Sequence, residues 1–218
     1  MRVIKIIDAL HLDEQGVKSK TKNGRLQTVH LRQGDLDGAC AVYATVMVLI
    51  MIKALKYSEI GNLADYGDGR FALKKLKKEL FELKGMHRDG NYFFHEEFDS
   101  IASMLRRSYS KYVEVEHIEK DVISVIADQI ANNQPVLMSY SAKGAAHALV
   151  AIGIETDKND DVRKIFCLDP AYDAPKFTYW NSVIDLETFE GRYNYRNFTE
   201  SGQCAFIKLE DVLIISKR

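Results

Sequence analysis

The sequence predicts an α+β fold, with helices in the first part of the chain and an antiparallel sheet in the second. The main observation is a change in hydrophobic pattern at Pro135. Before this proline, apolar residues recur at spacings of three and four, which is typical of helices with one buried face. After it, short apolar runs bounded by turn residues predict successive strands. Helices and strands that are separated along the chain favour an α+β fold over an alternating α/β fold.

Two short strands are predicted ahead of the helices, at Arg2–Ile7 and Leu26–Leu31. The polar, glycine-containing stretch from Leu12 to Arg25 indicates a loop or an irregular hairpin between them. A helix that is apolar on almost every side is then predicted from about Gly38 to Leu55. Because it offers no polar face to water, we expect this helix to be buried inside the protein.

Three amphipathic helices follow the buried one, with charged residues such as the lysines after Phe71 on a solvated outer face. They are predicted at Phe71–Leu83, Glu97–Leu105 and Lys120–Ala131. The last helix is expected to stop at Asn132-Asn133-Gln134-Pro135, because proline cannot continue a helix and asparagine favours its C-terminal end.

Six strands are predicted after Pro135. They are Val136–Tyr140, Ala148–Ile154, Val162–Leu168, Phe177–Trp180, Ala205–Leu209 and Val212–Ile215. We expect one domain over residues 1–218, with a helical half at about residues 32–134. The sheet half covers about residues 135–218 and also takes in strands from residues 1–31.

Composition and charge exclude several classes of protein. The hydrophobic fraction of 46% and the charged fraction of 28% are ordinary for a soluble globular protein. With 30 basic and 31 acidic residues the net charge is −1, which argues against binding to nucleic acid or to an anionic membrane. The longest apolar run, Ala39 to Ile52, is shorter than the ~20 residues that span a bilayer. We therefore expect no membrane insertion.

The three cysteines are widely scattered, so they predict neither a disulfide framework nor a zinc site. This usage fits a reducing, cytoplasmic setting. Cys167, inside a predicted strand, and Cys204, near a strand start, are expected to behave as small buried hydrophobic residues. Cys40 differs, because a loop with glycines delivers it to the first turn of the buried helix. Unpaired N–H groups and the helix dipole lower the pKa of a thiol there, so Cys40 is a predicted nucleophile.

A predicted hairpin supplies a base for this thiol. His147 opens one strand and Asp169 ends the next. If the turn is centred on Lys158, position 147 faces position 169, and the carboxylate can fix the tautomer and orientation of the imidazole. Asp169 precedes a proline, so it is also an ordinary turn residue. The remaining histidines show no partner pattern: His11, His30, His87, His95 and His117.

An acyl-transfer reaction also requires donors for the developing oxyanion. The backbone N–H of Cys40 is available at the helix start, and Gln33 is the nearest side-chain amide upstream. Gly34 and Gly38 allow the loop between them to fold tightly. Gln33 is therefore a candidate oxyanion donor, although glutamine is also common in turns.

The pattern of these residues resembles the papain-like cysteine peptidase superfamily. The order runs from Gln33, through Gly38-Ala39-Cys40 and His147, to Asp169-Pro170. Within the superfamily the closest likeness is to the bacteriocin-processing, double-glycine leader peptidases. It covers residues 31–52 and about 135–170.

The resemblance implies a papain-like cysteine peptidase fold with the substrate cleft between the two halves. It implies Cys40 as the nucleophile, His147 as general base and acid, and Asp169 as the residue that orients His147. Gln33 is implied as the oxyanion donor.

The expected activity is hydrolysis of a peptide or protein substrate through a thioester, without a metal or cofactor. Three alternatives fit the same residues. One is an amidase, deamidase or transglutaminase-like enzyme, one is a non-catalytic peptide-binding module of the same fold, and one is a toxin or effector with a single target protein. The pattern makes no prediction of the oligomeric state.

Overall fold

Antiparallel strands make up much of the described chain. The computed structural model describes residues 1–34, 39–60, 72–80 and 98–218. The strands of the first half are β1 Val3–Ile6, β2 Leu10–Asp13, β3 Gly16–Lys20, β4 Leu26–Thr28 and β5 Val113–Ile118. Those of the second half are β6 Val136–Ala142, β7 Ala145–Thr156, β8 Val162–Leu168, β9 Ser182–Asp185, β10 Tyr195–Thr199 and β11 Cys204–Lys217.

The main sheet closes on itself. Its eight strands follow the order β1-β7-β6-β11-β10-β9-β8, with β5 paired to β11. Because β7 also pairs with β8, the six strands β6 to β11 form a ring in which each strand has a partner on both sides. The N-terminal strand β1 joins this sheet through β7, whereas β2, β3 and β4 form a separate three-stranded sheet.

The helices are α1 Cys40–Met51, α2 Tyr57–Ile60, α3 Ala72–Lys78, α4 Phe98–Ser108 and α5 Val122–Ala131. Every residue of α1 except Cys40 and Tyr43 is buried, as its all-round apolar sequence predicts. The helix packs against β6 and β7. One end of a buried helix is thereby placed against the strand that carries His147. Within the described ranges, no helix combines the length and apolarity that a membrane span needs.

The mixture of helices and an antiparallel sheet confirms the predicted α+β class. The strand β8 has the predicted bounds, and α5 ends where the asparagines and Pro135 were expected to stop it, with Asn133 at a positive φ. The helix predicted at Phe71–Leu83 is described only in part, since residues 71 and 81–83 lie outside the described ranges. The expectation of one domain over residues 1–218 stays a prediction.

Several predicted boundaries were wrong. The segment Phe177–Trp180 is not a strand, and the strand β9 begins after it; Trp180 instead stacks on Phe166, with ring centroids 4.2 Å apart. The predicted strands Ala205–Leu209 and Val212–Ile215 are one strand, β11, interrupted by a bulge between Leu209 and Val212. The strands β5 and β10 had no prediction, and β5 places part of the sheet inside the predicted helical half.

The predicted register of the β7–β8 hairpin was also wrong. The turn is centred on Asn159, one residue later than predicted, because Thr156 pairs with Val162. Two bulges farther along the hairpin shift the register in opposite directions, so that Leu168 lies opposite Val150. Continued by one residue, this register places Asp169 opposite Leu149, two positions from His147. A shift of two keeps both side chains on the same face, where diagonal neighbours remain within reach.

Candidate active site

Cys40 occupies the first position of α1, and its thiol faces β7. The side chain is partly buried, and the backbone N–H of Ala148 donates to its Sγ atom over 3.4 Å. Ala39 precedes the helix, and its carbonyl accepts the N–H groups of Val42 and Tyr43. The N–H groups of the first turn have no partner within a helix, so the positive end of the helix dipole lies at the thiol.

The ring of His147 lies between Asp169 and Cys40. Its Nε2 atom is 2.6 Å from Asp169 Oδ1. The N–H of Ala148, the residue after His147, donates to the Cys40 thiol, and the charge of the His147 ring acts on that thiol. The Asp169 side chain is fully buried, whereas that of His147 is 15% exposed. The imidazole therefore contacts a shielded carboxylate and lies beside the Cys40 thiol.

The pKa values of the thiol and the imidazole shift in opposite directions. Burial raises the pKa of Cys40, but the hydrogen bond and charge of His147, with the N–H groups of Ala148 and Ala41, outweigh burial and lower it. Burial lowers the pKa of His147, and the charge and hydrogen bond of Asp169, together with Cys40, raise it to about 10. Both shifts favour the charged pair, a thiolate beside an imidazolium, over the neutral pair.

The side chain, the backbone N–H and the backbone carbonyl of Asp169 all form hydrogen bonds. Its Oδ1 atom also accepts the N–H of Ala171 at 2.9 Å. Its backbone N–H donates to Asn181 Oδ1 at 2.7 Å, and its backbone carbonyl accepts from Asn181 Nδ2 at 2.9 Å. His30 Nε2 lies 3.0 Å from the same carbonyl. Asn181 and His30 were not predicted, and no local pattern marks them, because they meet Asp169 only through the fold.

Gln33 lies near the carboxylate end of the cluster. Its backbone N–H donates to the carbonyl of Pro170 at 2.8 Å. Its Oε1 atom is buried and has no hydrogen-bond partner within the described ranges. The loop at residues 35–38, between Gln33 and the helix, lies outside the described residues. The role of Gln33 as an oxyanion donor stays a prediction.

Tyr140 is a further neighbour of the imidazole that sequence reasoning missed. It lies opposite His147 in the β6–β7 pair, with ring centroids 5.5 Å apart. Its hydroxyl accepts a hydrogen bond from Asn197 Nδ2 at 3.3 Å. The alternation of side chains along a strand puts a cross-strand neighbour on the same face, so the correct strand pairing would have identified it.

The other cysteines differ from Cys40. Cys167 is fully buried, as expected, and burial raises the pKa of its thiol well above the ordinary value. Cys204 is exposed, which contradicts the expectation of a buried hydrophobic residue. The first three residues of its strand, β11, are all exposed.

His30 and His117 show no partner pattern in the sequence, but the fold gives a partner to each. His117 contacts two carboxylates, Asp99 and Asp211, each at 2.8 Å. His87 and His95 lie outside the described residues. Among the residues that are described, no group of three or more histidine, cysteine or acidic side chains is placed to hold a metal ion.

The substrate cleft between the two halves stays a prediction. Two grooves of the described surface have volumes of about 710 and 440 Å³. Both are lined by residues around Lys22, Gln27 and Lys56, and neither is lined by Cys40 or His147.

The sequence matches a family model, described as the Peptidase_C39 like family, over residues 25–201. No curated protein matches the sequence. A solved structure described as a C39-like peptidase from Bacillus anthracis is 14% identical, with 81% of this chain and 90% of that chain covered and a TM-score of 0.39. UfSP from C. elegans is 11% identical, with 99% of this chain covered and a TM-score of 0.42. The chain spans 34% of the UfSP chain.

Proposed function

The chain belongs to the Peptidase_C39-like family, and on that premise we propose that it hydrolyses peptide bonds with Cys40 as nucleophile. Membership confirms the predicted resemblance to papain-like cysteine peptidases and supports an enzyme of the cysteine-peptidase type. The proposal goes further, because it assigns the roles of individual residues and the reaction. It includes a papain-like arrangement of the two halves in a single domain.

One observation carries the proposal, namely the position of the His147 ring between a thiol and a buried carboxylate. The Nε2 atom is engaged by Asp169 at 2.6 Å, so the tautomer and orientation of the ring are set before substrate binds. The Cys40 thiol accepts the N–H of Ala148, the residue next to His147, and the charge of the ring acts on it. A thiol with a lowered pKa beside an imidazole with a raised pKa is the arrangement required of an activated nucleophile.

The reaction proceeds in two acyl-transfer steps. The Cys40 thiolate attacks the carbonyl carbon of the substrate, and the carbonyl oxygen takes up the negative charge. His147 then gives its proton to the leaving amine as the C–N bond breaks, which leaves a thioester on Cys40. In the second step His147 takes a proton from water, the hydroxide attacks the thioester, and the carboxylic acid leaves.

The oxyanion formed in both steps needs donors that do not titrate. The Cys40 backbone N–H supplies one, since the first N–H groups of a helix have no partner within it. We assign the Gln33 amide as the second donor. The bond from the Gln33 N–H to Pro170 supports this assignment, because it holds the Gln33 backbone next to the residue that orients His147.

A peptide library tests the proposal directly. The wild-type chain, Cys40→Ala and Cys204→Ala are incubated with mixed peptides, and the products are weighed by mass spectrometry. We expect new peptide termini from the wild type and from Cys204→Ala, which removes an exposed thiol remote from His147, and none from Cys40→Ala.

Two results would contradict the proposal. Release of ammonia without chain cleavage would indicate a deamidase or a transferase that uses the same residues. No products, together with alkylation of Cys40 by iodoacetamide no faster than that of Cys204, would indicate a binding module.

A further inference from the structure

We propose that Asn181 is a positioning residue that acts on the thiol through Asp169 and His147. The Asn181 side chain forms hydrogen bonds with both the N–H and the carbonyl of Asp169. It thereby keeps the Asp169 carboxylate in contact with the imidazole. The inference rests on the proposed function, because it concerns the same thiol–imidazole pair.

The chain leaves the sheet at Asp169, where the strand ladder can no longer satisfy the backbone. The strand β8 ends at Leu168, and Pro170 follows without an N–H to donate. Asp169 has no exposed surface, so its own N–H and carbonyl need protein partners. Asn181 supplies both from one planar amide, with its Oδ1 at 2.7 Å and its Nδ2 at 2.9 Å.

The amide of Asn181 is fixed from several sides. It is 1% exposed, and its Nδ2 atom also donates to the carbonyl of Asp173 at 3.0 Å. Its backbone N–H donates to Cys167 at 3.2 Å, and its carbonyl accepts from Glu200 at 2.9 Å. His30 Nε2 lies 3.2 Å from Nδ2. Because the Asn181 side chain is held in this way, it restrains the backbone of Asp169.

The hydrogen bonds from Asn181 fix the position of the Asp169 carboxylate. Asp169 Oδ1 contacts His147 and the N–H of Ala171, which belongs to the same short loop. If the backbone of Asp169 shifts, the carboxylate moves with it and the charge that raises the pKa of His147 weakens. Outer hydrogen bonds of this kind commonly control the groups that carry out the chemistry.

The test measures the rate at which iodoacetamide alkylates Cys40 as a function of pH, because only the thiolate reacts. All variants carry Cys204→Ser, so that the exposed thiol does not consume the probe. The variants are Asn181→Ala, Asp169→Asn and the combination of the two. His117→Gln is the control. It removes a partner of the buried Asp211 side chain, and His117 does not contact Asp169.

We expect Asn181→Ala to move the alkylation midpoint toward higher pH. A rise of about one pKa unit in the thiol slows alkylation about tenfold below the midpoint. In the Asp169→Asn background, Asn181→Ala should cause no further shift, because two residues that act in series are not additive. His117→Gln should lower the unfolding temperature and leave the profile unchanged. If Asn181→Ala does not fold, Asn181→Ser carries the same test, since the shorter serine lacks the amide that pairs with both backbone groups.

The outcomes separate this inference from the proposed function. An unchanged profile for Asn181→Ala, beside a shifted profile for Asp169→Asn, overturns the role of Asn181 alone. An equal shift by Asn181→Ala in both backgrounds also overturns it, because Asn181 would then act independently of Asp169. An unchanged profile for Asp169→Asn itself overturns the proposed role of Asp169, and the role of Asn181 with it.

Discussion

Two histidines on the same sheet touch buried carboxylates, and they differ in the second partner of the ring. In the Cys40 cluster (Cys40, His147 and Asp169) that partner is a thiol at a helix start. In the His117 cluster (His117, Asp99, Asp211 and Ser139) it is a second carboxylate, because Nδ1 contacts Asp99 and Nε2 contacts Asp211. Ser139 bonds to Asp211 rather than to the ring.

The difference decides what a proton can do in each cluster. Two carboxylates require both ring nitrogens of His117 to carry a proton, so the imidazolium is held in place and joins α4, β5 and β11. Burial lowers the pKa of His117, and the hydrogen bonds that the ring donates to Asp211 and Asp99 outweigh burial and raise it. In the Cys40 cluster the proton can pass between sulfur and nitrogen, which is what nucleophilic catalysis needs. A histidine beside an aspartate is therefore not by itself a catalytic signature.

The largest expected difference between the two clusters comes from removing the imidazole of each. His147→Ala should lower peptide cleavage by about 10³-fold, within the range that loss of a general base produces, whereas His117→Ala should leave cleavage unchanged. Steady-state rates on a peptide that the wild type cleaves measure both. Equal losses in the two variants would show that the clusters do not differ in function.

The next effect concerns the charge of each carboxylate. Asp169→Asn removes the charge that raises the pKa of His147, so the thiolate loses the imidazolium that stabilises it and cleavage should fall by about 10²-fold. Asp211→Asn is the matched change in the His117 cluster, and it should lower the unfolding temperature without lowering the cleavage rate. A loss of cleavage in Asp211→Asn would contradict the comparison.

The pH profile of cleavage sharpens the contrast further. The thiolate–imidazolium pair exists between the lowered pKa of Cys40 and the raised pKa of His147, about 10. Activity should therefore rise with pH on the acid side as Cys40 loses its proton, and fall on the alkaline side as His147 loses its own. An activity that keeps rising up to the pKa of a free thiol would show that His147 does not stabilise the thiolate.

The smallest effect is on stability through His117. Because the folded protein raises the pKa of His117, this group contributes stability that is fully present below the unfolded pKa. That contribution is lost as pH rises through the folded pKa. The unfolding temperature of wild type should thus fall in this interval, and the fall should be smaller in His117→Gln. Thermal unfolding across that interval measures it, and identical pH dependence in the two proteins would contradict the assignment.

Local patterns in the sequence predicted the parts of the Cys40 cluster that depend on one element at a time. The glycine loop before an all-apolar segment located Cys40 at a helix start, and the turn residues after Thr156 located the β7–β8 hairpin. The predicted turn centre was one residue too early. This error shifts the register by two residues, so both side chains stay on the same face of the sheet. The proximity of His147 and Asp169 therefore survived a wrong pairing.

The missed residues share a different property. Asn181 reaches Asp169 across a loop, His30 reaches it from the opposite end of the chain, and Tyr140 faces His147 only because β6 pairs with β7. None of the three lies in a sequence motif, because the number of residues between each of them and the residue it contacts follows no regular period. The strand β5 was missed for a related reason, because its partner, β11, is the last strand of the chain.

The sequence by itself determined the positions of α1, α4, α5 and β8, where Cys40 stands on its helix, and which histidine and aspartate share a hairpin. These follow from steric and hydrophobic rules that act over a few residues. The tertiary structure alone decided that the sheet closes, that α1 presents its thiol to β7, and that Asn181 holds Asp169. Those contacts depend on how buried surfaces pack between residues far apart in the chain, and no local pattern encodes that packing.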